Sequence, residues 1–274
     1  MESADLGIRG AVAKRNIVEW MARARSAERC LTGPALSGHC PFTMKVVPPY
    51  SGFLLVLEGI DGGGKSTQAK LVQERVESRG VRVLRTKEPT DGRWGKILRD
   101  SAVTGRLSLE EEVELFMKDR REHVEGELLP ALREGTTVIV DRYYFSTAAY
   151  QGARGLDPQE LIRRNEEFAP EPDLLVLLDV EVAQGLDRVR GRGDRANFFE
   201  QTEALRRVRD IFLSIDKPYL LKLDARRDPE QICCQILREF SVRYQRRIAE
   251  RGLAASKQLA GALRELAIAD GKKK

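Results

Sequence analysis

The sequence contains no apolar run that approaches the ~20 residues a membrane-spanning helix requires. Its beginning also lacks the basic start and apolar stretch that mark a secretory signal peptide. Cysteine is scarce, with 4 residues in 274, which is too few for a disulfide framework in a chain of this length. These absences predict a cytoplasmic protein in a reducing compartment, with no membrane association.

Excess positive charge is also missing from most of the chain, although the formal net charge is +5. Residues 1–50 contribute +3 and residues 246–274 contribute +5, so residues 51–245 carry a net charge of −3. A nucleic-acid-binding fold would cluster basic residues on the folded domain itself. The charge distribution therefore predicts no nucleic-acid partner.

Short apolar runs alternate with longer amphipathic stretches through the middle of the chain. The apolar runs end at Gly, Asp or Pro, and their continuous hydrophobicity is typical of parallel strands covered on both faces. We expect strands at Phe53–Glu58, Val81–Thr86, Thr137–Asp141, Asp173–Val180 and Tyr219–Asp224. Helical patterns occupy about 65–79, 94–103, 109–133, 157–168, 181–191, 202–215 and 228–245. This alternation predicts an α/β fold with a doubly wound, five-stranded parallel sheet flanked by helices.

The pattern also predicts three segments in the chain. Residues 51–245 form the α/β domain, whereas residues 1–50 read as an N-terminal extension that is partly helical or disordered. Residues 246–274 continue the last helical pattern into a basic tail that is helical or disordered.

A glycine-rich motif follows the first predicted strand and precedes a good helix start. Residues 59–66 read GIDGGGKS, which fits the phosphate-binding pattern G-x-x-x-x-G-K-[ST] and makes the sheet that of a P-loop NTPase. Glycines let backbone N–H groups converge on phosphate oxygens, and the helix N-terminus adds positive potential. We expect Lys65 to reach the β- and γ-phosphates and the Ser66 hydroxyl to bind Mg²⁺. The predicted ATP-binding residues are Gly59, Ile60, Asp61, Gly62, Gly63, Gly64, Lys65, Ser66 and Thr67.

An acid and an arginine end the third predicted strand. Asp141 follows an apolar run, and the carboxyl end of a buried parallel strand is a usual place for a residue that holds Mg²⁺ or its waters. A helix N-cap is the alternative role for Asp141. Arg142 can clamp a phosphate bidentately, which suggests a second, accepting phosphate and hence phosphoryl transfer.

Arginines cluster after the fourth predicted strand, where residues 188–195 read RVRGRGDR. Such a segment can form a short lid over the triphosphate and place cations against the charge that develops on the transferring group. The alternative is a charged, solvated helix end. Under the first interpretation the catalytic candidates are Arg190, Arg192 and Arg195, beside Lys65, Asp141 and Arg142.

Taken together, these motifs resemble the thymidylate kinase family over most of residues 52–240. The matching segments are LEGIDGGGKSTQ (57–68), KEPT (87–90), LFMKDRREH (115–123), VDRYYFSTAAYQG (140–152), PEPDLLVLLDV (170–180) and LDARRDPEQI (223–232). The resemblance implies a homodimeric kinase that uses ATP and Mg²⁺ to convert dTMP to dTDP. Two features depart from what is seen in the family: Gly62 and Gly63 fill the loop positions where some members carry a catalytic arginine, and Lys87 stands where the family often has arginine.

The resemblance also implies how the acceptor is held. For the base, it implies that Phe116 stacks on thymine, that Arg120 hydrogen-bonds it, and that Ser146 or Thr147 helps to read it. For the rest of the nucleotide, it implies three further roles: Asp61 meets the sugar 3′-hydroxyl, Tyr150 occupies the place of a ribose 2′-hydroxyl, and Arg142 holds the phosphate. Ordinary helix-face packing is the alternative for the two aromatic residues.

Other functions remain open at this point. A kinase for a different deoxynucleotide or deoxynucleoside would keep the same motifs, and a P-loop ATPase acting as a regulatory or assembly module would keep the phosphate loop. A catalytically inactive binding module is a further alternative. A GTPase is disfavoured because the sequence has no guanine-reading N-K-x-D segment.

Overall fold

A computed structural model describes residues 50–105, 107–189 and 198–271. The predicted extension at 1–50, apart from Tyr50, and the three lid arginines Arg190, Arg192 and Arg195 lie outside the described residues. Among the residues described, no helix is long and apolar enough to cross a membrane. The predicted domain boundaries and location of the protein stay predictions.

Five parallel strands form a single sheet, which confirms the predicted fold class. The strands are β1 (Phe53–Glu58), β2 (Val83–Lys87), β3 (Thr137–Asp141), β4 (Leu174–Asp179) and β5 (Leu220–Asp224). Their order is β2-β3-β1-β4-β5, so β1 lies at the centre and every one of its six residues is buried. Continuous burial explains why β1 is an unbroken apolar run that ends in a single acid.

Helices cover the sheet and join its strands. They are α1 (Lys65–Glu77), α2 (Arg93–Thr104), α3 (Leu109–His123), α4 (Leu129–Arg133), α5 (Tyr144–Gly152), α6 (Pro158–Glu166), α7 (Val182–Val189), α8 (Phe198–Ser214) and α9 (Pro229–Gly271). A π-helical turn at Val124–Leu128 joins α3 to α4, so the predicted helix at 109–133 is continuous but changes its winding. Helix α3 starts at a capping box between Ser108 and Glu111, which fixes its first turn.

The sequence pattern did not predict helix α5. Its residues read YFSTAAYQG, and six of the nine are buried, so no polar face alternates with the apolar one. The segment is short and begins two residues after Arg142, which has a positive φ of 70°. A helix buried on nearly all sides therefore lies directly behind the carboxyl end of β3.

The register of the sheet brings the predicted site residues to one edge. Leu57 pairs with Asp141, and Asp141 pairs with Lys87 of the neighbouring strand. The phosphate loop leaves β1 at the same level, between β3 and β4. In open α/β sheets, ligands bind at this carboxyl edge, where neighbouring connections diverge to opposite faces.

Candidate functional site

The phosphate loop takes a conformation that only glycine adopts without strain. Gly59, Gly62 and Gly64 have φ values of 136°, 79° and 84°, and Lys65 begins helix α1 directly after the last of them. This geometry turns successive backbone N–H groups toward one concave surface at the helix N-terminus. A cavity of about 290 Å³ opens over that surface, lined by Lys65, Ser66, Thr67 and Asp141 among others.

Helix α7 supports the loop from below through a contact between glycines. A Cβ atom added at Gly62 would lie 2.1 Å from the carbonyl oxygen of Gly185, whereas one added at Gly64 would meet no atom within 4 Å. Gly62 and Gly64 both have positive φ. Comparing an alanine substitution at each therefore separates the free-energy cost of the backbone conformation from that of the clash with Gly185.

We expect Gly62→Ala to lower the free energy of unfolding by about 2–3 kcal/mol and Gly64→Ala by about 1 kcal/mol, because only the first adds a backbone clash to the left-handed strain. Thermal unfolding of both variants beside the unmodified chain measures the difference. Equal shifts in melting temperature would show that the contact with Gly185 does not constrain the loop.

Lys65 folds back onto the loop that it serves. Its Nζ atom donates to the carbonyl oxygens of Gly59, at 3.0 Å, and of Ile60, at 2.9 Å. Burial lowers the pKa of Lys65 to about 8, and the nearby charge of Arg142 acts in the same direction, whereas Asp61 and other acids oppose the shift. The ammonium group of Lys65 therefore lies at the phosphate-binding surface, and the nearby acids compensate its charge only in part.

Ser66 and Asp141 lie together as the sequence predicted for a magnesium site. The Ser66 hydroxyl donates to Asp141 Oδ2 over 2.5 Å. Among the residues described, no group of three or more His, Cys, Asp or Glu side chains converges as a metal site. One hydroxyl and one carboxylate nevertheless fit Mg²⁺, because this ion keeps waters and takes its remaining oxygens from nucleotide phosphates. Asp141 does not cap helix α5, which has no side-chain N-cap of its own.

Arg142 stands at the centre of the site and is held from several directions. Its Nη2 atom donates to Asp61 Oδ1 over 2.5 Å, and its Nη1 atom donates to Ser146 Oγ over 3.0 Å. The guanidinium carbon lies 5.3 Å from the ring centroid of Tyr150. Although burial favours the neutral acid, the charges of Arg142 and Lys65 hold the pKa of Asp61 below its ordinary value.

A second cavity, of about 320 Å³, extends from Arg142 toward helices α2 and α3. It shares Asp61, Glu88 and Arg142 with the cavity over the phosphate loop, so the two spaces meet at those residues. All seven residues predicted to hold dTMP line it: Asp61, Phe116, Arg120, Arg142, Ser146, Thr147 and Tyr150. The fold thus gathers residues that are spread over 90 positions of sequence around one space.

Arg120 is fully buried and is held by three side-chain hydrogen bonds. It is 1% exposed and donates to Glu88 Oε2 at 2.8 Å, to Asn165 Oδ1 at 2.6 Å and to Thr147 Oγ1 at 3.1 Å. Its guanidinium has five N–H donors, so these bonds leave two of them for other acceptors. The buried charge pair with Glu88 fixes the Arg120 side chain at the cavity wall.

Three residues with functional contacts received no role of their own in the sequence analysis, although one of them, Arg188, opens the arginine cluster at 188–195. Gln151 lines the second cavity, is 5% exposed, and has a side-chain oxygen with no hydrogen-bond partner. Arg188 donates to the carbonyl oxygens of Gly62 and Ala225, at 3.1 and 3.0 Å, and so clamps the phosphate loop. The third is Glu58, a buried acid at the end of β1. A polar residue in an otherwise apolar strand was the signal available for Glu58.

Comparisons with known proteins agree with this geometry. The family model "Thymidylate kinase" matches residues 57–236. The thymidylate kinase of Akkermansia muciniphila is 49% identical over 193 residues, covering 70% of this chain and 93% of that protein. Thymidylate kinases of Xanthomonas euvesicatoria pv. vesicatoria and Xanthomonas campestris pv. campestris are 50% and 48% identical, covering 67% and 70% of this chain and 81% and 84% of theirs. This chain belongs to the thymidylate kinase family.

Proposed function

We propose that the two joined cavities carry out the reaction ATP + dTMP → ADP + dTDP, with ATP over the phosphate loop and dTMP in the cavity beside it. Curated relatives at about half identity carry the name of this activity and are matched over most of their length. The observation that carries the assignment is the shared wall: Asp61 and Arg142 line both spaces. Phosphoryl transfer requires donor and acceptor phosphates in line, and a shared wall brings them together.

On the donor side, Lys65 would neutralise the β- and γ-phosphates at the N-terminus of α1. Ser66 and Asp141 would hold Mg²⁺, which when bound supplies positive charge to the phosphate oxygens during transfer. Arg142 would turn from Asp61 toward the acceptor phosphate, because a phosphate competes well for a guanidinium held by one exposed carboxylate. The lid candidates Arg190, Arg192 and Arg195 stay predictions for the remaining charge.

On the acceptor side, the cavity is lined by aromatic and polar groups that would meet the base, the sugar and the phosphate of dTMP. Phe116 lies partly buried on α3, one helical turn before Arg120, and would stack on thymine while Arg120 and Thr147 meet its polar edge. Gln151 would offer its unpaired oxygen to the same edge. Tyr150 lies beside Arg142 and would pack against the sugar where a ribose 2′-hydroxyl would sit.

We expect the purified protein to form ADP from ATP and Mg²⁺ rapidly with dTMP, more slowly with dUMP, and hardly at all without an acceptor. A coupled ADP assay with dTMP, dUMP, UMP, dCMP, dGMP, AMP and thymidine measures this. Acceptor-independent hydrolysis would instead support a regulatory ATPase. A preference for another nucleotide or for thymidine would overturn the thymidylate assignment and leave the ATP site in place.

We also propose that the protein acts as a homodimer, as the family resemblance implied. Sedimentation equilibrium of the purified chain tests the proposal, since a mass near 30.9 kDa would show a monomer.

A further inference from the structure

We propose that Glu58 is a positioning residue for the acceptor-phosphate arginine: from strand β1 it fixes the backbone and the guanidinium of Arg142. This inference rests on the proposed function, because it gives Arg142 its task. Glu58 is 1% exposed and does not line either of the two joined cavities, so it acts through another residue and not on the substrate. Its contacts decide the assignment.

The carboxylate of Glu58, at the end of strand β1, caps the N-terminus of helix α5. Its Oε1 atom accepts hydrogen bonds from the backbone N–H groups of Tyr143, at 2.7 Å, and Ser146, at 3.0 Å. Helix α5 has no side-chain cap of its own. The Ser146 N–H also donates to the Tyr143 carbonyl over 3.0 Å, so it is the Tyr143 N–H whose acceptor Glu58 supplies. An anionic acceptor at a helix N-terminus is also favoured by the helix dipole.

Two consecutive residues of β1 hold the two peptide groups that flank Arg142. The Arg142 N–H donates to the Leu57 carbonyl over 3.0 Å, and the Tyr143 N–H donates to Glu58 Oε1. Between these two bonds Arg142 has a φ of 70°. A non-glycine residue keeps such a conformation only when the surrounding structure fixes it, and here β1 supplies both constraints.

A hydroxyl relay extends this control to the side chain. Ser146 Oγ donates to Glu58 Oε2 over 2.6 Å and accepts from Arg142 Nη1 over 3.0 Å. The relay holds Nη1 of Arg142 and leaves Nη2, which contacts Asp61, able to exchange that carboxylate for a phosphate oxygen. Burial raises the pKa of Glu58 to about 7. The nearby positive charges of Arg142 and Lys65 oppose that rise, and Arg142 has the larger effect.

The test measures the use and binding of dTMP and the binding of the adenine nucleotide separately in the variants Glu58→Ala and Glu58→Gln. We expect Glu58→Ala to lower kcat/KM for dTMP about 100-fold, because a misplacement of about 1 Å costs this much, and Glu58→Gln about tenfold, because one acceptor atom remains. Calorimetric titration with dTMP should show weaker binding in the same order. Affinity for ADP, measured the same way, should change less than about threefold, although Glu58 adjoins the phosphate loop.

Glu166→Gln is the matched control, since Glu166 also reaches α5, through the Tyr144 hydroxyl at 3.2 Å, but has no contact with Arg142. This variant should keep the affinity for dTMP. Equal losses of affinity for dTMP and ADP in the Glu58 variants would indicate general damage to the loop and overturn the proposal. Unchanged dTMP kinetics in these variants would also overturn it, because Arg142 would then not depend on Glu58. If Glu58→Ala does not fold, Glu58→Gln gives the same split. Failure of the unmodified enzyme to phosphorylate dTMP would instead refute the proposed function.

Discussion

Replacing Arg142 with alanine is expected to lower kcat/KM for dTMP by about 10³-fold or more while the protein stays folded. The guanidinium lies where the two cavities meet, and no other arginine lines both of them among the residues described. Its loss removes the cation that would hold the acceptor phosphate in line, which is the main contribution a kinase can make to transfer. Steady-state kinetics with dTMP varied at saturating ATP measure the effect.

Two companion variants isolate the side chain from the backbone. Arg142→Gly relieves the positive φ of this residue, so it should be at least as stable as the alanine variant but equally inactive. Arg142→Lys should recover little, because an ammonium cannot make a bidentate contact. Arg163→Ala is the control, because Arg163 is exposed and pairs with Glu160 and Glu167 at the end of α6. A loss below tenfold in Arg142→Ala would contradict the assignment of the acceptor phosphate.

Lys65→Ala is expected to lower kcat by about 10³-fold with a change of less than about 1 kcal/mol in the free energy of unfolding. The two effects diverge because the ammonium group is desolvated in the free protein, where its pKa falls to about 8, and gains its full partners only from ATP. The hydrogen bonds that it loses are those to Gly59 and Ile60. Single-turnover phosphoryl transfer and thermal unfolding together measure this separation.

Lys70→Ala is the matched control on the same helix. Lys70 is exposed and pairs at 3.9 Å with Glu74, a surface contact that is worth little. Its activity should equal that of the unmodified protein. A Lys65→Ala variant that unfolds, or that retains more than about a tenth of the activity, would show that the lysine supports the loop and not the transfer.

Local patterns predicted the framework because they reflect local causes. Strand β1 shows its burial as an unbroken apolar run, and the phosphate loop shows its positive φ values as glycines. The junction of Ser66 and Asp141 also followed, since carboxyl ends of neighbouring parallel strands share an edge. Edge strand β2 starts two residues later and ends one residue later than predicted, because its mixed burial leaves no sharp boundary at Val83.

What escaped the sequence analysis depends on pairs of residues that are distant in the chain. Glu58 and Ser146 are 88 positions apart, and Arg188 and Gly62 are 126 apart, so no window of sequence contains both partners. The unpaired oxygen of Gln151 is a property of its surroundings and has no signature in the letters YQG. The substrate-binding residues differ, because their positions around one cavity followed from the sequence while their roles stay predictions.

The shared wall between the two cavities has a thermodynamic consequence. Asp61, Glu88 and Arg142 line both spaces, so a nucleotide in one space would contact groups that also bound the other. Donor and acceptor are then linked by a closed cycle, in which the factor by which ATP changes the affinity for dTMP must equal the factor by which dTMP changes the affinity for ATP. Under the proposed function, Asp61 competes with the acceptor phosphate for Arg142, so the strength of the Asp61–Arg142 ion pair would contribute to the coupling between donor and acceptor.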